Sequence, residues 1–151
     1  MFYFAYGSNM DHHQMLVERC PGARFVGTAV LDDYWLFFDG YSARWGGAVA
    51  NIDSSPDDEV CGGLFEITAA HLQALDACEG YSRYYSRKLV DVKRPGEVAA
   101  FKAWTYLRES HPTGTPSREY ILAVVQGARD CLLPEDYIHA AFDHYLRISG
   151  S

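Results

Sequence analysis

Two rhythms of apolar residues run along this chain, and the first half carries short, dense blocks. Phe2-Tyr3-Phe4-Ala5-Tyr6 is apolar and aromatic throughout and stops at Gly7-Ser8-Asn9. Aromatic residues suit a pleated, half-buried surface, so Phe2–Tyr6 is expected to be a strand. Gly7 permits close approach of the backbone to a ligand. Ser8 with Asp11 three residues later has the form of a capping box, which predicts a helix over about Asp11–Cys20, broken at Pro21-Gly22. Strand, glycine turn and helix start together present N–H groups to an anion or to developing negative charge. An ordinary βα turn beside a core strand would read the same way.

Further blocks predict strands over Arg24–Leu31 and Tyr34–Phe38, split by Asp32-Asp33, and over Ala48–Ile52. A loop rich in Gly, Ser and Asp is expected over Asp39–Gly47, and a polar turn over Asp53–Asp58. Val60–Ile67 holds Gly62-Gly63, which marks a bulge or a close approach.

The second half changes period. Thr68 caps a helix whose apolar face is Leu72, Leu75 and Cys78, and Glu79-Gly80 ends it. Tyr85–Val92 and Ala99–Leu107 read as a strand pair turning near Pro95-Gly96, followed by a loop over Glu109–Pro116. Ser117 caps a helix with Ile121, Val124, Val125, Ala128 and Leu132 at helical spacing, and Pro134 opens a last helix to about Leu146. Many strands with few interspersed helices predict an α+β fold, a mixed sheet or small barrel, in one domain over 1–151.

Composition narrows the function classes. The formal charge of −7 argues against a nucleic-acid phosphate surface and against a basic membrane-binding face. No run of 18 apolar residues is present, and the chain enters a strand without a basic leader, so a cytoplasmic location is expected. Cys20, Cys61, Cys78 and Cys131 form no C-x-x-C pair and read as reduced, mostly buried thiols; a zinc site would need four separated segments to converge. The eleven tyrosines suit a pocket lined by rings with hydroxyl tips.

Glu79 is the carboxylate that stands out. It lies at the predicted C-terminus of a helix, where the macrodipole disfavours negative charge, and Tyr81, Tyr84 and Tyr85 follow it. Burial among rings would raise its pKa towards neutrality, as a general acid/base requires, although a solvated Glu beside a cap glycine has the same local pattern. Tyr120, three residues into a capped helix, faces either a cleft or the core. His139 and Asp143 share a helix face but read as solvated polar residues, and His12-His13 as surface. No G-x-G-x-x-G, P-loop or G-x-S-x-G occurs, which disfavours nucleotide binding and a serine-hydrolase elbow.

Taken in order along the chain, Tyr6-Gly7-Ser8-Asn9, Gly46-Gly47-Ala48-Val49-Ala50, Asp57-Asp58-Glu59-Val60-Cys61-Gly62 and Leu75-Asp76-Ala77-Cys78-Glu79-Gly80 resemble the γ-glutamylcyclotransferase family. The likeness continues through Tyr84-Tyr85, Pro116-Ser117-Arg118-Glu119-Tyr120, Gly127-Ala128 and Leu133-Pro134-Glu135-Asp136-Tyr137. It implies a small mixed β-barrel with flanking helices, and a cofactor-free cyclisation. In that reaction the α-amine of a small γ-glutamyl substrate attacks its own γ-carbonyl, releasing 5-oxoproline and an amine. It puts the catalytic glutamate on Glu79, the binding turn on Tyr6, Gly7, Ser8 and Asn9, and cavity tyrosines on Tyr120 and on Tyr84 or Tyr85. A homodimer is plausible from the same resemblance. Two alternatives stand beside it: the same chemistry on a specialised γ-glutamyl-protected biosynthetic intermediate, and a non-enzymatic module that keeps the cavity.

Overall fold

The structure, a computed structural model, describes residues 1–149. Its strands are β1 (Phe2–Ala5), β2 (Arg24–Ser42), β3 (Gly47–Glu66), β4 (Ser86–Lys93) and β5 (Ala100–Leu107); its α-helices are α1 (Ala69–Glu79), α2 (Arg118–Asp130) and α3 (Glu135–Ile148). The strands close into a barrel in the order β1-β3-β2-β4-β5, so the expected α+β barrel is what the chain forms. β1 runs antiparallel to β3, Ala5 opposite Gly63, and parallel to β5, Tyr3 opposite Trp104.

The polar stretches expected to break strands do not break them. Asp32 pairs with Glu59 and Tyr34 with Ser54, so Asp33 alone faces residues 55–58 and the β2–β3 hairpin continues past a bulge. Asp33 and Asp57 take left-handed backbone there (φ 64° and 68°), and Asp33 Oδ1 accepts the Asp57 N–H at 3.1 Å. Short acidic side chains tolerate that geometry because they satisfy backbone groups locally. The expected loop over Asp39–Gly47 is likewise mostly strand. β2 runs to Ser42, and Gly46 N–H bonds Ser42 O at 2.7 Å to close a tight turn. Of the two readings of Gly62-Gly63, close approach is correct: register is unbroken, and a Cβ on Gly62 would lie 2.2 Å from Ala5 O.

The predicted caps form at α1 and α2. Thr68 Oγ1 accepts the His71 N–H at 3.2 Å while His71 Nδ1 accepts the Thr68 N–H at 3.1 Å, and Gly80 ends α1. Ser117 Oγ accepts the Tyr120 N–H at 3.2 Å. Ile121, Val124, Val125 and Ala128 are buried as expected, but Leu132 lies beyond the end of α2 and is exposed.

The first predicted helix differs most. Ser8 does not cap it. Ser8–Met10 is a 3₁₀ turn, and His13–Arg19 is a wider π-helical segment closed by Cys20 N–H to Met15 O at 2.8 Å. The N-cap residue, His12, makes no side-chain capping bond; instead Asp11, one residue before it, accepts the Gln14 N–H on its Oδ1 at 3.0 Å. Spacing of i→i+5 stacks Gln14 above Arg19, and both donate to Asn9 Oδ1 at 2.9 Å. Of the two histidines read as surface, His13 is exposed, whereas His12 is half-buried, its ring packing 4.6 Å from Phe25 and 5.8 Å from Phe65. His139 and Asp143 pair on an exposed face at 3.0 Å. Cys20, Cys61 and Cys131 are buried free thiols, and Cys78 is exposed. Among the described residues no helix is long and apolar enough to cross a membrane.

Candidate active site

A cavity of about 1000 Å³ lies between the Ser8–Met10 turn, the β2–β3 turn, the end of α1 and the first turn of α2. Tyr6, Gly7, Ser8, Asn9, Glu79, Tyr84, Tyr85 and Tyr120 all line it, although they are far apart along the chain.

Glu79 is the last residue of α1, and its side chain keeps 20% exposure. Burial pushes its carboxyl above the usual range, against the opposing fields of Arg19, Arg108 and Arg44. Its Oε1 meets Asn9 Nδ2 at 3.4 Å and Arg19 Nη1 at 3.8 Å. Asn9 is the hub of this corner. Its Oδ1 accepts from Gln14 and Arg19, while its Nδ2 donates to Tyr3 Oη at 3.0 Å as well as to Glu79. That pattern fixes the amide's orientation, because donors face the oxygen and acceptors face the nitrogen. Within the turn the first hydrogen bond is Met10 N–H to Gly7 O at 3.1 Å. The N–H groups of Ser8 and Asn9 precede it and have no partner inside the turn.

The tyrosines divide by environment. Tyr6, which lines the cavity, donates from its buried hydroxyl to Tyr106 O at 2.5 Å. Tyr120 Oη accepts the Ala50 N–H at 2.9 Å, which leaves its own proton available to a cavity ligand. Tyr85 is half-buried under the Arg108 guanidinium, 5.0 Å from its ring, whereas Tyr84 is 69% exposed at the rim. Burial raises the pKa of Tyr6, Tyr85 and Tyr120, with the Glu79 charge adding to it, so all three are neutral hydroxyls. Behind Glu79, one turn back on α1, Asp76 Oδ1 accepts from Tyr106 Oη at 2.6 Å and pairs with Arg87.

Reading the sequence missed the arginines. Arg19, Arg44, Arg83 and Arg108 line the cavity in a chain that is acidic overall. Arg108 is held by Asp39, with Nη2 2.6 Å from Oδ1 and the two side chains 9% and 0% exposed. One signal was available: Asp39 follows Phe37-Phe38, and an acid buried in such a strand needs a cationic partner.

Comparison with known proteins adds an independent line. The AIG2-like family model matches residues 59–140. Proteins named gamma-glutamylcyclotransferase from Mus musculus and Homo sapiens are 32% and 33% identical over 141 residues, spanning 89% of this chain and 73% of theirs. A solved structure named gamma-glutamyl cyclotransferase superposes with a TM-score of 0.86 at 31% identity, covering 93% of this chain and 85% of that one.

Proposed function

Because the chain belongs to the AIG2-like γ-glutamylcyclotransferase family, we propose that it converts a γ-glutamyl amino acid, peptide or amine into 5-oxoproline and the free amine, with Glu79 as general acid/base. One observation carries the assignment of Glu79: its carboxyl is raised by burial on the cavity wall, against three arginine fields. A carboxylate whose proton affinity is raised in this way is better able to take a proton from the substrate and give it back.

The substrate's α-ammonium loses a proton to Glu79, and the resulting amine attacks the γ-carbonyl carbon to close a five-membered ring. Negative charge develops on the carbonyl oxygen. The Ser8 and Asn9 N–H groups and the Tyr120 hydroxyl are the donors available to stabilise it, or to hold the substrate's α-carboxylate. As the γ-carbon–nitrogen bond breaks, Glu79 returns the proton to the departing amine, and the freed carboxylate then takes the surplus proton from the ring nitrogen. Nucleophile and carbonyl belong to one molecule, so the pocket's main task is to hold the glutamyl chain folded. Asn9 serves this by fixing the Glu79 carboxylate beside the turn.

The reading includes a cofactor-free enzyme in one domain, cytoplasmic and able to form a homodimer, which sedimentation would check. Release of 5-oxoproline from γ-glutamyl dipeptides and amines, wild type against Glu79→Gln, tests the reaction. Release that vanishes in a folded variant supports the role; a variant as active as wild type removes it.

A further inference from the structure

Burial alone favours the protonated form of Glu79, and a protonated carboxyl cannot take a proton from a substrate ammonium. One cation opposes burial without occupying the carboxylate. Arg19, with its side chain 10% exposed, has Nη1 3.8 Å from Glu79 Oε1, beyond hydrogen-bond range, and gives its bond to Asn9 Oδ1 at 2.9 Å. Its charge therefore acts on Glu79 while the carboxylate lone pairs stay open to the substrate.

The backbone is shaped to keep it there. In an α-helix, residues five apart point about 140° away from each other, so Gln14 and Arg19 could not both reach Asn9. The π-helical segment His13–Arg19 brings them together. The chain just beyond is pinned to α1. His71 Nδ1 accepts the Thr68 N–H, so its Nε2 bears the proton and donates to Pro21 O at 2.8 Å.

Other groups around the carboxylate do not take this role. Arg108 is committed to Asp39 at 2.6 Å, and Arg44 and Arg83 are exposed, each stacked on a neighbouring ring. Tyr3 and Tyr6 from β1, Tyr85, Tyr106 from β5 and Tyr120 from α2 are kept neutral by burial. Cys78, beside Glu79 on α1, and His111, beyond β5, line the same cavity and are exposed.

We propose that Arg19 is a positioning residue for the reaction: fixed by Asn9 in the π-helical segment, it holds the buried Glu79 carboxyl ionised in the resting enzyme, ready to take the substrate's proton. This deepens the cyclotransferase reading and rests on it. Burial raises the proton affinity of Glu79, and Arg19 limits the rise.

The test is a pH titration of the Glu79 carboxyl by carbon NMR in glutamate-labelled protein, its resonance identified by loss in Glu79→Gln. Arg19→Gln is expected to raise the midpoint by about 1–3 pH units, the effect of removing an opposite charge at this range. Arg19→Lys, which keeps the charge, should return the midpoint most of the way to wild type. The acidic limb of kcat/KM for 5-oxoproline release from a γ-glutamyl dipeptide should move up with the midpoint in Arg19→Gln. Lost packing alone would lower kcat/KM at every pH and leave that limb in place. A midpoint unmoved in Arg19→Gln, or raised as far in Arg19→Lys, overturns the proposal. If Arg19→Gln fails to fold, wild type decides: a Glu79 carboxyl still protonated at pH 7 overturns it. Absence of 5-oxoproline release by wild type removes the cyclotransferase reading, and Arg19's part in catalysis with it, whatever the midpoint does.

Discussion

Asn9 decides the geometry of Glu79, and burial decides its proton affinity. Glu79→Gln is expected to lower kcat by roughly 10²- to 10⁴-fold, measured as 5-oxoproline release, the loss typical of removing a positioned acid/base. Its effect on stability has the opposite sign. The folded-state pKa lies above the unfolded value of about 4.3, so the folded chain holds the proton more tightly. Wild-type stability is therefore full below that value and declines as pH rises through the folded pKa. Glutamine cannot ionise, so Glu79→Gln should melt at a higher temperature than wild type at pH 7, with the gap closing below about pH 4. A lower Tm at both pH values would contradict the burial argument. Tyr120→Phe leaves the Ala50 N–H without its acceptor and should cost about 1–3 kcal/mol by denaturant melting. Glu79 was legible in the sequence because a helix end, a cap glycine and tyrosines mark it locally. Arg108 was not, since its partner Asp39 is remote along the chain.

Elements bring these residues together through close contacts that exclude side-chain atoms. α2 crosses the Ser8–Met10 turn at Gly127, where a Cβ would sit 2.3 Å from Asp11 N and 2.5 Å from the Met10 carbonyl carbon. Backbone cannot yield as a flexible side chain does, so Gly127→Ala should displace the turn that carries Asn9. We expect about 1–3 kcal/mol lost in denaturant melts, and kcat/KM reduced although residue 127 does not line the cavity. Thr68→Ala removes one half of the α1 capping box and should cost about 1 kcal/mol by the same measurement, with activity largely kept. Element types were readable wherever a local cap or period set them, as at Thr68, Ser117 and the β4–β5 pair. Boundaries failed where tertiary pairing overrode local chemistry. Asp32-Asp33 and Asp53–Asp58 look like turns, but the β2–β3 ladder resumes on both sides of the bulge they form. The π-helical segment was illegible because its reason is Asn9, which bonds two residues five apart.

At the scale of the whole molecule the barrel is closed unevenly. β2 and β3 pair along nearly their full lengths, whereas β2 and β4 meet through one register pair, Val30 opposite Lys93. Arg94 Nε donating to Thr28 O at 3.0 Å, and Lys93 paired with Asp32 at 3.0 Å, hold the rest of that seam. Arg94→Ala should speed amide hydrogen exchange in β4 and around residues 27–31, and leave the β2–β3 ladder near residues 34–38 protected. Uniform exchange along the barrel would contradict this. Fold class was legible from the ratio of strand blocks to helices, and the barrel from the family resemblance; the strand order was not, because it depends on β1 pairing with both β3 and β5. That double pairing hides both backbone edges of the aromatic N-terminal strand from other chains. The thinly paired β2–β4 seam leaves N–H and C=O groups that could template a second copy, and it is there that the chain has a lysine and an arginine, the residues with which sheet proteins repel such additions.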